Sequence, residues 1–133
     1  MAGHGVLKLG TILSDRGSKY AVSGCPVLTA ADIDNALASL KSEKSHAKAT
    51  HNTYAALLSG QGAVKADDGE SGAAMVILRM LEREGLFDHL MIVTRWYGGK
   101  HLGGDRFRHV KTCMRAYLDA LSDAEQQCSK KAD

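Results

Sequence analysis

Between Thr94 and Phe107 the chain reads TRWYGGKHLGGDRF: four glycines, two arginines, a lysine, a histidine and three aromatics in fourteen positions. Glycine at this density lets a backbone turn tightly or approach a ligand closely. The side chains around it offer three kinds of chemistry. Glycine-loop N–H groups can cradle a phosphate. Arginine beside aromatic rings can hold a nucleic-acid backbone and stack its bases. Exposed charge on a tethered loop can bind a protein partner. The phosphate fingerprints do not fit, because GGKHLGG is neither G-x-G-x-x-G nor G-x-x-x-x-G-K followed by Ser or Thr. Asp105, at the start of the next helix, would also repel an anion. The stretch is therefore expected to be a recognition loop, with Arg95, Trp96, Tyr97, Gly98, Gly99, Lys100, His101 and Arg106 as its contact residues. Arg95, Lys100 and His101 are expected in solvent. Arg108, Lys111 and Arg115 share one helical face by i, i+3 and i+7 spacing and extend the basic surface. A solvated helix face with the aromatics packed inward accounts for the same residues equally well.

Two further clusters carry candidate chemistry. Asp67, Asp68 and Glu70 place three carboxylates around Gly69 just before a helix. They could hold a metal or form an acid–base pair. The later ligands of a calcium loop are missing, and acids are favoured at a helix N-terminus for electrostatic reasons alone. A structural role is expected, close to the Arg95–Arg106 loop, since both clusters precede helices at the same sheet edge. In SHAKATHNTY, residues His46, His51, Asn52 and Tyr54 suggest acid–base chemistry. A triad would need Cys25 or Cys113 beside His51. The three cysteines form no C-x-x-C pair, so no zinc or redox signature is present, and Cys128 falls in the tail. No metal and no cofactor are expected.

The elements that position these residues follow from periodicity. GVLKLGTILSD and KYAVSGCPV read as two strands joined through Asp15–Ser18. Thr29 with Asp32 forms a capping box for a helix whose apolar face is Ile33, Ala36, Leu37 and Leu40, ending near Lys44. Thr50–Ser59 reads as a third strand and GQGAVKADDGES as a loop. Ser71 caps a second helix with Ala74, Ile77, Leu78 and Leu81 inward and Gly85 as its stop. HLMIVT fits a central strand buried on both faces. Asp105 starts a third helix, with Phe107, Val110, Met114, Tyr117, Leu118 and Leu121 on its apolar face. The order β-β-α-β-α-β-α predicts an α+β, two-layer domain: about four strands in a mixed sheet with the helices on one face.

Composition sets the class. The 133 residues are 44% apolar and 24% charged, which suits one globular domain, 1–133, with a core over about 5–121 and a frayed tail over 122–133. A net charge of +2 does not by itself demand nucleic acid. No run approaches the ~18 apolar residues of a membrane span. MAGHGVLKLG lacks the basic and apolar regions of a secretory signal, so the cytoplasm is the expected compartment.

Taken together, KSHAKATHNTYA, DDGE, RWYGG, LG and DRFRH occur in order from Lys44 to His109. In this the chain resembles the conserved domain of the IMPACT family from about Gly10 to Leu121. That resemblance implies a two-layer domain like the second domain of ribosomal protein S5, with a left-handed β-α-β crossover. It implies a non-enzymatic regulator of translation in the stress response. Eukaryotic members restrain the kinase that phosphorylates an initiation factor during amino-acid starvation, by competing for that kinase's activator. The partner is then a protein of the translation or stress-response machinery. An RNA- or DNA-binding module is the alternative, and a hydrolase using the DDGE cluster and His51 a less favoured one. The RWD domain of eukaryotic members and the ferredoxin-like domain of many bacterial ones are not expected in these residues. DDGESGAAM departs from the family's DDGETAAGG, and Gly104 stands where eukaryotic members usually have proline. DRFRH follows the eukaryotic style.

Overall fold

The computed structural model describes residues 6–132, with side-chain surroundings through residue 125. Strands β1 (Leu7–Asp15) and β2 (Ser18–Pro26) form the expected antiparallel hairpin. Its turn residues, Arg16 and Gly17, both adopt positive φ, the geometry whose twist matches a two-residue hairpin. β2 pairs along its length with β5 (His89–Trp96), β5 with β3 (His51–Leu58), and β3 with β4 (Gly62–Ala66). The sheet order is β1-β2-β5-β3-β4. It has five strands rather than about four, and every neighbouring pair is antiparallel rather than mixed. The added strand, GAVKA, carries one β-branched residue among small and polar ones. As a five-residue edge strand it is held by pairing with β3, not by its own pattern.

Four helices are found among the described residues: α1 (Ala30–Lys41), α2 (Lys44–Ala47), α3 (Ala73–Glu84) and α4 (Asp105–Ala132). The order is thus β-β-α-α-β-β-α-β-α. The Thr29–Asp32 capping box forms as expected, but α1 stops at Lys41 and the chain turns into the separate α2. α3 starts without the expected Ser71 cap. The Asp67 carboxylate instead accepts from the N–H groups of Gly72 (3.1 Å) and Ala74 (2.9 Å), which hold it below its ordinary pKa. α4 continues past Leu121 as helix through Ala132, over the stretch expected to fray. Cys128 lies outside the described side chains.

Strand alternation divides the interior. Ala55, Leu57, Met91 and Val93 face α3 and α4, burying Ile77, Leu81, Val110, Met114 and Tyr117. Ala56, Leu58, Leu90 and Ile92 face the other way, against Ile33, Ala36 and Leu40 of α1. The helices therefore cover both faces, not one. α1 bridges the parallel strands β2 and β3 on one face. α3 bridges the parallel strands β4 and β5 on the other, running back across the sheet. Two such connections necessarily have opposite hands, so one is left-handed, against the strong general preference.

Gly24 shows how closely α4 packs. A Cβ there would sit 2.6 Å from the Leu90 carbonyl and 2.7 Å from the Tyr117 ring and hydroxyl. That hydroxyl is paired with His89 Nε2 at 2.7 Å. Gly24→Ala is expected to cost about 1–3 kcal/mol in urea unfolding, as overpacking does. Gly60→Ala, with no atom within 4 Å of the new methyl group, leaves the midpoint close to wild type.

Candidate functional site

Alternation continues one step beyond the apolar part of β5. Met91 and Val93 face α3 and α4, and Arg95 follows on the same face. It emerges beneath the loop that enters α3, where Glu70 is buried. Both side chains are only 5% exposed. Arg95 Nη1 donates to both Glu70 oxygens, at 3.0 and 3.1 Å, and its Nε and Nη2 donate to Ser18 Oγ at 3.3 and 3.2 Å. Arg106 Nη1, from the first turn of α4, reaches Glu70 Oε2 at 3.3 Å. His51 Nε2 lies 3.6 Å from the same oxygen. Arg95 is therefore not a solvent-facing contact residue. Its strand position carries it under α3, and a buried carboxylate offsets its charge.

The acidic loop divides its labour. Asp67 caps α3, and its carbonyl accepts from Thr53 Oγ1 at 2.9 Å. Asp68, at φ +49°, accepts the Asn52 N–H on its carboxylate at 2.7 Å, and its carbonyl lies 2.8 Å from His51 Nδ1. With that carbonyl as acceptor, the Nδ1 proton is fixed and Nε2 is left facing Glu70. Gly69, at φ +88°, lies against the His51 ring, 3.0 Å from where a Cβ would be. Each of the three carboxylates thus has a structural partner, and among the described residues no group of three or more His, Cys, Asp or Glu side chains could hold a metal.

The histidine motif splits across the sheet. His51 faces α3 and Glu70. Asn52 and Tyr54 face the α1 side, where Asn52 Nδ2 donates to the His46 carbonyl and its Oδ1 accepts from Thr94 Oγ1. Trp96 lies on that side too, donating to the Ser45 carbonyl at 2.8 Å with its ring against His46. The four residues are therefore not one acid–base centre. Cys25 is buried in the α1-side core. Cys113 is fully buried beside Val110 and Met114, where desolvation pushes its thiol up to about 12. A fully buried thiol shifted in this direction is not poised as a thiolate nucleophile.

The loop after β5 is clamped at both ends. Tyr97 N–H donates to Thr50 Oγ1 at 2.9 Å, and Gly98 N–H to Ser18 Oγ at 3.2 Å. Gly98 lies so close to Gly17 that no side chain fits at either position. At the far end Leu102 is buried, Asp105 pairs with Arg16 and with Arg108 (3.2 Å), and His109 Nε2 is 2.7 Å from Asp15. Arg16, with His109, holds the Asp15 carboxyl down at about 2. Phe107 is half-buried, its ring under the Arg106 guanidinium and against Gly72. Between the clamps Gly99, Lys100 and His101 are exposed, and Tyr97 is 43% exposed. Arg108, Lys111 and Arg115 are exposed along α4, whereas His109 on the same helix is buried. Sequence reasoning missed Ser18 and Thr50, the two hydroxyls that hold the loop. Thr50 stands within KSHAKATHNTYA, where the neighbouring His51 and Asn52 draw attention by type, and Ser18 reads only as a turn residue.

The Impact N-terminal domain model matches residues 16–118. The chain is 34% identical over 119 residues to "Protein IMPACT homolog" of Caenorhabditis elegans, covering 84% of this chain and 46% of the relative. It is 35% identical over 114 residues to "Protein IMPACT" of Bos taurus, covering 82% and 36%. It spans less than half the length of these curated relatives. Among solved structures it superposes on the two-domain translational regulator Yih1 with a TM-score of 0.52 at 25% identity, covering 84% of this chain and 45% of that one. A hypothetical protein's crystal structure aligns with a TM-score of 0.62 at 20% identity, covering 93% and 61%, a likeness of fold alone.

Removing one partner of a buried ion pair strands the other charge away from water, which costs about 3–5 kcal/mol. Glu70→Ala is expected to lose that much in denaturant unfolding. The double substitution Glu70→Leu with Arg95→Met is expected to be less destabilised than Glu70→Ala alone, because the fully buried Arg95 charge is no longer left unpaired, while Arg106 keeps partial access to water.

Proposed function

Since the chain belongs to the Impact N-terminal domain family, we propose that it is a non-catalytic binding domain that regulates translation, acting on a protein of the translation or stress-response machinery. The similarity to the two-domain translational regulator Yih1 supports this direction. The observation that carries the reading is the clamped loop. Tyr97 and Gly98 are tied to Thr50 and Ser18, Asp105 and His109 to the β1–β2 turn, and Lys100 and His101 stand out between them. A loop ordered before it meets its partner loses little entropy on binding. Its contact residues in this reading are Tyr97, Lys100, His101, Arg106 and Arg108. Arg95 supports them from below. We take the fold as the ribosomal S5 domain 2-like arrangement, a reading supported by one left-handed crossover. The cytoplasm is the matching compartment; no helix among the described residues is long and apolar enough to cross a membrane.

Nucleic acid is the second reading, through the exposed Arg108, Lys111 and Arg115 on α4. Two of these charges are already offset: Arg108 by Asp105, and Arg115 by Glu84 and Asp119. The hydrolase reading is weaker still, because the DDGE carboxylates are occupied as cap, strand anchor and ion-pair partner.

A pull-down from the source cell's lysate, repeated after nuclease treatment, is expected to retain a protein of the translation machinery in both cases. With that partner, Lys100→Glu combined with Arg108→Glu is expected to slow association about tenfold or more at low salt, with a smaller effect on dissociation. A partner lost on nuclease treatment, or an unchanged association rate in the folded double variant, contradicts the reading.

A further inference from the structure

The cavity beside the Glu70–Arg95 pair offers more donors than that pair uses. It encloses about 510 Å³ between the acidic loop and the clamped loop, with Thr50, His51, Arg95, Tyr97, His101 and Arg106 in its lining. Two guanidinium groups here face one carboxylate, so the lining is positive before either histidine is counted. Arg106 places Nε on the Gly103 carbonyl and Nη1 on Glu70 and the Ser71 carbonyl, while its Nη2 donates to no acceptor among the described residues. The backbone adds a second, independent set. The N–H groups of Gly99 through Gly104 donate to no acceptor among the described residues. Those on either side, Tyr97, Gly98 and Asp105, are all engaged. Gly99 and Gly103, at φ +95° and +56°, bend this run of amides. Successive free amides in such bends form anion-binding concavities. At the mouth, the half-exposed Tyr97 ring lies 5.7 Å from the His101 ring, the two planes tilted 43° to one another.

The objection that Asp105 would repel a phosphate does not survive the structure. Its carboxylate is paired with both Arg16 and Arg108. Glu70 is likewise occupied on both oxygens. We propose that this cavity binds a nucleoside monophosphate. The phosphate is held by Arg106 and the amides of His101, Leu102 and Gly103, which line the cavity, and the base stacks on the exposed Tyr97 ring with His101 at its edge. The proposal concerns the cavity under the loop; it shares Tyr97, His101 and Arg106 with the protein-partner reading but not Lys100 or Arg108, which do not line the cavity.

Calorimetric titration of the whole chain tests it, using AMP, adenosine and inorganic phosphate as probes. AMP is expected to bind saturably and adenosine at least about tenfold more weakly, as loss of charge-assisted hydrogen bonds implies. Inorganic phosphate is expected to displace AMP. Arg106→Gln should weaken AMP about tenfold. Tyr97→Ala should weaken AMP several-fold yet leave phosphate's own affinity unchanged, a split that general loosening of the fold would not give. His101→Ala, a change confined to the exposed loop, supplies a variant free of contact with Glu70 and should also weaken AMP. Equal binding of AMP and adenosine, no binding of AMP, or binding of AMP that inorganic phosphate does not displace would each overturn the proposal.

Discussion

Arginine and glutamate are both removed from water where the end of β5 passes under the entry to α3, and much of the surrounding geometry follows from keeping them paired. An isolated charge in that position would be costly to desolvate, so the pair tolerates little displacement of either partner. Arg95 is fixed by the β5 pairing register with β2 and β3. Glu70 must then be brought to it by a loop that turns sharply. Asp68 at φ +49° and Gly69 at φ +88° supply that turn, and the Asp67 cap joins it directly to α3. The remaining Arg95 nitrogens go to Ser18 at the foot of the hairpin, and Ser18 also receives the Gly98 N–H. One buried pair thus ties the hairpin turn, the acidic loop and the start of the exposed loop into a single unit.

The same unit explains where charge is free and where it is spent. Arg95, Arg16 and Arg106 all have acidic partners, whereas Lys100 and His101 stand on the exposed span. What distinguishes this surface is its shape: a short charged loop clamped at both ends above a positive cavity.

Residue type and spacing revealed some of this and concealed the rest. The hairpin, the Thr29–Asp32 box, the α3 and α4 core positions and the proximity of the acidic loop to Arg95 and Arg106 could be read from local pattern. β4 could not, because an edge strand held by its neighbour needs no alternation of its own. Neither could the placement of α1 on the opposite sheet face, which depends on which strands lie between β2 and β3. By residue type alone Arg95 reads as a surface residue. Its period-two relation to Met91 and Val93 was the available signal that it turns inward. His46 and His51 are close in sequence, but strand alternation beginning at His51 sends Asn52, which anchors the His46 segment, to the other face.

The central claim is that the Glu70–Arg95 pair orders the loops on either side of it. Residue-resolved amide hydrogen exchange, comparing wild type with Glu70→Gln while both remain folded, tests it most directly. Exchange is expected to speed up at Gly72, Ala74, Tyr97 and Gly98, where N–H groups depend on this unit, and to stay slow at Ala56 and Val93 in the sheet centre. Unchanged exchange at the loop positions, or equal acceleration throughout the chain, would contradict the claim.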